Sequence, residues 1–537
     1  MKTDTKVDVK AERYGSKALE APEIFAGRGK GVLHDIFRDR AFHGVHQGTT
    51  WQLHRYGINC KLSGSVYAVT EILGAIPLVH GPKGCAFHQR LTPRRIYTPI
   101  QDMPCTCLDE NAVIYGGEEQ LRESIVDTYN RYKPDLIAVL PTCVAGLIGD
   151  DIEGVIHEVE AKIPCDILYV PSEGFAHRDR RALDVFLKDF TKAWKDPAKV
   201  PAYEIRGCGH EEVMLALVDQ IMDDQYDENA DNLVNIETFG RFSYGFESEL
   251  KEMTSLLGKM GVGINTTLLS CTVDAIKKAP AARLNIVRRG IRWAEEMKKE
   301  FDTDYLRRWF FYTGIDGTEK FLLDVASKLD LDGEAEEVVR VEKKRALEEL
   351  DKYRKIFKNR VFALFTLGFF FTPYSVKTYA LDFKIPLKYV CVDTRWMKAH
   401  NVSDETTESM IRGMEELIDD WDLGVEFVVN PNLHELKEIA KKVDYVLGER
   451  SATPIYEKEG ISMIDTSIGR YLFNRIGFNG MLEFASYLTQ EMKKQRNHRE
   501  PIISKFDYDK TYYPILADPM CLASREMWST MWRLRSG

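Results

Sequence analysis

Short apolar runs alternate with longer amphipathic stretches along most of the chain, the alternation that β-α-β units around a parallel sheet produce. Early in the chain the runs fall at 75–79, 136–140 and 167–170, with helical patterns over 118–131 and 151–161 between them. The rhythm restarts at 233–238, where a helical pattern over 246–260 stops at Gly261 and a strand pattern follows at 263–269. Residues 333–358 mix Glu, Lys and Arg, which predicts a long solvated helix with i,i+4 ion pairs. A third unit opens with the run 361–371 and continues through 387–392, 425–429, 443–447 and 461–464. The expected fold class is α/β, three Rossmann-like domains with central parallel sheets. The expected organisation is an N-terminal arm over 1–55, a domain over 56–235, a second over 236–360, a third over 361–499 and a C-terminal tail over 500–537. A length of 537 residues suits three or four such units at roughly 150 residues each.

Composition narrows the function. A formal net charge of -10 gives no general electrostatic reason to bind nucleic acid or an anionic membrane surface. The first ten residues lack the apolar core of a secretory signal, so a cytoplasmic setting is expected. The longest apolar run, 361–371, falls well short of the roughly 18 residues that suggest a membrane span. Ten cysteines are too few for a disulfide scaffold in a chain of this length, which leaves them as thiols or metal ligands.

Three cysteines stand out by their neighbours. Cys60 lies in Gly57-Ile-Asn-Cys-Lys-Leu-Ser-Gly64, ahead of a helical stretch. Cys85 ends His80-Gly-Pro-Lys-Gly-Cys85, directly after the first strand, and Cys143 lies in Leu140-Pro-Thr-Cys-Val-Ala-Gly-Leu-Ile-Gly-Asp-Asp151, directly after the second. The carboxyl ends of parallel strands are where open α/β sheets place ligand-binding loops. Gly84 and its neighbours permit a tight turn and close backbone approach, with N–H groups able to donate to cluster sulfurs. These features suit an iron-sulfur site. Cys105 and Cys107 form a Cys-x-Cys pair nearby, read as packing thiols before ligands. Asp150 and Asp151 are read together as the cap of a following helix.

Taken together, Cys60, His80-Gly-Pro-Lys-Gly-Cys85, Tyr115-Gly-Gly117, Cys143 with Gly146-Leu-Ile-Gly-Asp-Asp151, and Ser172-Glu-Gly-Phe175 resemble the catalytic-component subunits of nitrogenase and its relatives, over about residues 58–489. The resemblance implies an iron-molybdenum-protein-like fold. It also implies that Cys60, Cys85 and Cys143 hold half of an electron-relay cluster, P-cluster-like 8Fe-7S or 4Fe-4S, at a subunit interface. Three thiolates leave iron sites to be filled from elsewhere, and a sister subunit is the simplest source. No Gly-x-x-x-x-Gly-Lys-Ser/Thr loop is present, so ATP hydrolysis falls to a separate iron-sulfur reductase that docks and delivers electrons.

A second complex iron-sulfur cofactor is a further implication. In the family's α-subunit one Cys and one His hold it. Here arginines around Arg283-Leu-Asn-Ile-Val-Arg-Arg289 stand near the expected Cys, and Ser467 stands near the expected His. His177 falls where relatives line the cavity and is the candidate proton donor to a small-molecule substrate. The mixture of α-like and β-like segments points to a nitrogenase-like reductase acting on something other than dinitrogen, for example a methylthio-alkane reductase. The alternative is a scaffold for assembly of a nitrogenase-type metal cofactor. A plain dehydrogenase is disfavoured, because no Gly-x-Gly-x-x-Gly turn follows the first strand.

Overall fold

The computed structural model describes residues 61–94, 102–174, 209–223, 232–237, 246–288, 291–307, 314–366, 372–394, 397, 402–448, 463–466 and 477–497. The proposed arm and tail lie outside them. Among the described residues three parallel sheets are formed. The first has the order β1-β2-β3, from Ala75–His80, Leu136–Pro141 and Asp166–Tyr169. A short segment extends it: Val79 N–H donates to Pro104 O at 3.0 Å and Thr106 N–H to Val79 O at 3.1 Å, laying Cys105 beside β1.

The central strand β2 is buried at all six positions, as a parallel strand covered on both faces must be. Its side chains alternate between two cores. Ile137 and Val139 join Leu78, Leu121, Ile125, Val155 and Val159 on one face, which brings in the helices Glu118–Tyr132 and Ile152–Glu160. Leu136, Ala138 and Leu140 face the other way, against Val66, Val69, Val213 and Leu217 of the helices α1 (Lys61–Glu71) and Gly209–Gln220. That second core continues through Leu268, Val287 and Trp293, so the first and second sheets share apolar packing.

The second sheet runs β5-β4-β6-β7, from Leu233–Glu237 (β4), Gly263–Leu268 (β5), Leu284–Val287 (β6) and Asp304–Arg307 (β7). The third is β10-β9-β8-β11-β12, from Phe362–Thr366 (β8), Leu387–Val392 (β9), Glu426–Val429 (β10), Tyr445–Gly448 (β11) and Met463–Asp465 (β12). Its chain starts in the middle, winds out one way and then the other, the doubly wound order of a Rossmann-like domain. The α/β class with parallel Rossmann-like sheets is therefore as the sequence indicated.

The helix Asp332–Phe357 spans roughly 39 Å at 1.5 Å per residue. Ala335, Val338, Val339 and Ala346 pack in the second sheet's core. Leu350 and Phe357 pack in the third sheet's. One helix thus joins two cores. No described helix is long and apolar enough to cross a membrane.

Candidate functional site

Cys85 and Cys143 follow adjacent, paired strands whose last residues, His80 and Pro141, are in register. Cys85 is the third residue of α2 (Lys83–Arg94), and its N–H donates to Pro82 O at 3.1 Å. Cys143 is the first residue of the next such helix, Cys143–Ile148, behind the N-cap Thr142. Both thiols therefore sit in first helical turns, where N–H groups lack intrahelical acceptors and favour an anion. Cys60 lies outside the described residues, although the helix α1 begins at the residue after it.

The space between these loops is partly tight and partly open. A side chain on Gly81 would place its Cβ 2.1 Å from Thr142 Oγ1, so only glycine lets the two strand ends approach this closely. At Gly84 nothing stands within 4 Å of where a Cβ would be. Thr142 Oγ1 is buried and has no hydrogen-bond partner among the described residues. A buried polar atom beside Cys143, with open room at Gly84, fits a group that brings its own acceptors, and thiols at adjacent strand ends suit iron and sulfide. Among the described residues no three His, Cys, Asp or Glu side chains converge on a single-ion site. A multi-iron cluster spreads its ligands more widely, and here its third proposed thiol is Cys60.

Cys105 and Cys107 join the same group of loops. Cys105 Sγ donates to Gly81 O at 3.3 Å and accepts from Cys107 N–H at 3.3 Å. Burial pushes the Cys105 thiol up to about 12, against the opposing pull of the Cys107 backbone N–H. Cys107 is exposed, with φ at 57°, a left-handed conformation uncommon outside glycine.

Beneath the loops lies a polar network that local sequence reading missed. His80 Nε2 is 2.9 Å from Asp150 Oδ2, and the two side chains are 0% and 2% exposed. His80 Nδ1 is 3.1 Å from Thr106 Oγ1, which also accepts from Gly81 N–H at 3.0 Å. Asp150 Oδ1 accepts from Gly117 N–H at 2.8 Å. Burial holds the His80 imidazole below its ordinary value, outweighing the pull of Asp150. The neutral ring then donates from Nε2 to Asp150 and accepts at Nδ1 from the Thr106 hydroxyl. Only Asp151 is the helix cap, accepting from Gly154 N–H at 2.9 Å. The shared capping role read for Asp150 is therefore corrected: its partners lie 33 and 70 residues away, beyond any local signal.

The rim is apolar. Phe87 is 65% exposed, Ile114 71%, Tyr115 85% and Leu147 75%. Phe87 stands two residues beyond Cys85, and Leu147 stands one turn beyond Cys143. Ile114 and Tyr115 end the helix Glu110–Tyr115, which packs on the Cys143 helix through Ala112 and Ala145. Exposed large apolar groups on these helices are of the kind that contact surfaces use.

At the second sheet, the strand β6 ends where the sequence places arginines in the family's Cys region. Arg288 N–H donates to Glu237 Oε2 at 2.7 Å, and its guanidinium pairs with Glu249 at 2.8 Å; Glu249 is 2% exposed. Nearby, His210 lies 3.6 Å from Glu237, and burial raises Glu211 to about 7. This strand end is occupied by a buried Arg–Glu ion pair and by Glu237, which meets the Arg288 backbone and the His210 ring. Cys271 and Cys391 are buried thiols, pushed up by burial to about 11 and about 12, which suits packing rather than reactivity. His177, Arg289, His400 and Ser467 lie outside the described residues.

Parallel α/β sheets in series, with cysteines in the strand-end loops of the first, define a large α/β protein of Rossmann-like sheets with candidate metal ligands at the end of one of them. The chain belongs to the family described as nitrogenase component 1 type oxidoreductase, whose profile matches residues 60–493. It is 28% identical to the nitrogenase iron-molybdenum cofactor biosynthesis protein NifE of Methanococcus maripaludis, over 57% of this chain and 60% of that protein. It is 27% identical to the nitrogenase molybdenum-iron protein alpha chain of Methanosarcina barkeri, over 58% of this chain and 55% of that one. The chain thus spans somewhat over half the length of these relatives. Against NifE of Clostridium pasteurianum the identity is 27%, over 79% of this chain and 85% of that protein. Among solved structures, nitrogenase Cp1 at pH 5 superposes with a TM-score of 0.54 at 19% identity, covering 82% of this chain and 88% of that one, a likeness of fold.

Proposed function

We propose that this chain is a subunit of a nitrogenase-like reductase complex that receives electrons from an ATP-dependent iron-sulfur reductase and supports multi-electron reduction of a small molecule. Cys60, Cys85 and Cys143 would hold an iron-sulfur cluster shared with a sister subunit, and when bound that cluster supplies one-electron uptake and release. The observation that carries this reading is the placement of Cys85 and Cys143 at adjacent strand ends, inside a rim of exposed apolar side chains. First helical turns offer N–H groups that could donate to cluster sulfurs, and the apolar rim would exclude water once covered.

The test is anaerobic purification with the co-expressed sister subunit, followed by iron analysis and EPR. Cys85→Ala is expected to abolish the cluster signal while the chain still folds; an unchanged signal would sink the assignment. His177 remains the proposed proton donor, and a methylthio-alkane reductase is the proposed type.

A second reading, a scaffold for metal-cofactor assembly, is favoured by a separate observation. Arg288, near the position expected for the family's cofactor Cys, is tied down by a buried ion pair with Glu249 and by its backbone N–H donating to Glu237. Two of the relatives named above are cofactor biosynthesis proteins. Turnover with the reductase and ATP separates the readings. A complex that reduces nothing, protons included, yet donates a cluster to an apo-enzyme is a scaffold.

A further inference from the structure

We infer that His80, Thr106 and Asp150 form a buried clamp that fixes the loops bearing Cys85 and Cys143 relative to each other and to the segment of Cys105, and so act as positioning residues for the cluster thiolates Cys85 and Cys143. The inference rests on the cluster reading above. Each loop meets the clamp through a different bond. The loop leading to Cys85 leaves β1 at His80, and Gly81 N–H donates to Thr106 Oγ1 at 3.0 Å. The segment carrying Cys105 is held by Thr106 itself and by Leu108, whose N–H donates to Gly81 O at 3.1 Å. The loop to Cys143 is held at both ends. Thr142 N–H donates to His80 O at 2.9 Å, and beyond the Cys143 helix Asp150 takes the other side of the same imidazole at 2.9 Å. Asp150 also accepts from Gly117 N–H at 2.8 Å, tying in the Gly116-Gly117 turn.

Space is as restricted as the bonding. A Cβ on Gly117 would lie 2.8 Å from Asp150 Oδ2 and 3.1 Å from His80 Cε1. Shifting one loop against another therefore strands a buried donor or acceptor, and that penalty exceeds the worth of a surface contact. A simple core staple would tolerate apolar side chains of the same shape. A clamp would not, because bond direction rather than filled volume sets the loops.

Thr106→Val keeps the shape and removes the bridging hydroxyl; Thr106→Ser restores the hydroxyl. Asp150→Asn keeps the volume and one acceptor oxygen for two donors. Each variant would be purified anaerobically as the full chain with its co-expressed sister subunit, beside wild type and Cys85→Ala. The readouts are EPR line shape, cluster midpoint potential, iron retained against a chelator, and thermal melting. Thr106→Val and Asp150→Asn are expected to alter line shape and potential and to weaken iron retention by roughly 10- to 100-fold, the usual effect of losing an outer-shell partner. Thr106→Ser should track wild type. Wild-type line shape, potential and retention in Thr106→Val or in Asp150→Asn would overturn the clamp, and if one variant fails to accumulate the other decides. If wild type holds no iron, or Cys85→Ala holds as much as wild type, the cluster reading fails and takes the clamp with it.

Discussion

Single side chains show how far the setting of a residue departs from its identity. Asp382 is 6% exposed, and Ile315 N–H lies 3.4 Å from its Oδ2. Burial, reinforced by Asp316, raises its carboxyl to about 7. The folded state therefore keeps a proton that the unfolded chain releases near pH 4. Stability from this group falls as pH rises between about 4 and 7, and above pH 7 the full cost stands, on the order of a few kcal/mol. Asp382→Asn should then melt above wild type at pH 8, with most of that gap gone at pH 5. An equal gap at both values would refute the raised carboxyl. Glu211 acts in the same direction but is common to both proteins and cancels. None of this was legible in sequence, where Asp382 is one charged residue in a mixed stretch. Cys85 and Cys143 were legible as candidates, because Gly and Pro punctuation marks a strand-end loop without any knowledge of what stands opposite. Thr106 was not, since its value comes from a ring 26 residues away.

Elements were read more securely than residues, because a helix or strand is fixed by periodicity within a single window. The pattern over 118–131 is the helix Glu118–Tyr132, and that over 333–358 is Asp332–Phe357. The strand Leu387–Val392 has the bounds expected of it. What escaped was the segment 104–106, which gains its strand-like pairing only from β1, and the strand Asp304–Arg307, whose four partly exposed residues carry charge at both ends. Helix starts offer a direct test. At Leu433–Lys441 the Asn432 side chain accepts from Glu435 N–H at 2.9 Å, and the Glu435 carboxylate accepts from Asn432 N–H at 2.6 Å. This capping box satisfies two otherwise orphaned donors. Asn432→Ala should cost about 0.5–2 kcal/mol, seen as amide exchange in that helix faster by roughly 2- to 30-fold. Unchanged exchange there would mean the helix is held by Leu436 and Ile439 in the third sheet's core alone.

For the whole molecule, the apolar rim carries the clearest prediction. Leu147→Asp together with Tyr115→Asp should abolish co-purification of the sister subunit while leaving the chain's own melting nearly unchanged, because both side chains are more than two-thirds exposed. Retained co-purification would move the interface elsewhere. Alternating apolar and amphipathic segments determined, without coordinates, that the chain builds parallel α/β sheets in series, and the Gly-bearing loops marked the strand ends that carry its candidate site. Both are local properties: side-chain period and backbone freedom are written within a few residues. Strand order, the sharing of one helix between two cores, the pairing of His80 with Asp150 and the gathering of Phe87, Ile114, Tyr115 and Leu147 on one rim were decided only in three dimensions. Each joins residues far apart in the chain, and which distant partners meet is set by the packing of whole sheets and helices, a property that no window of sequence contains.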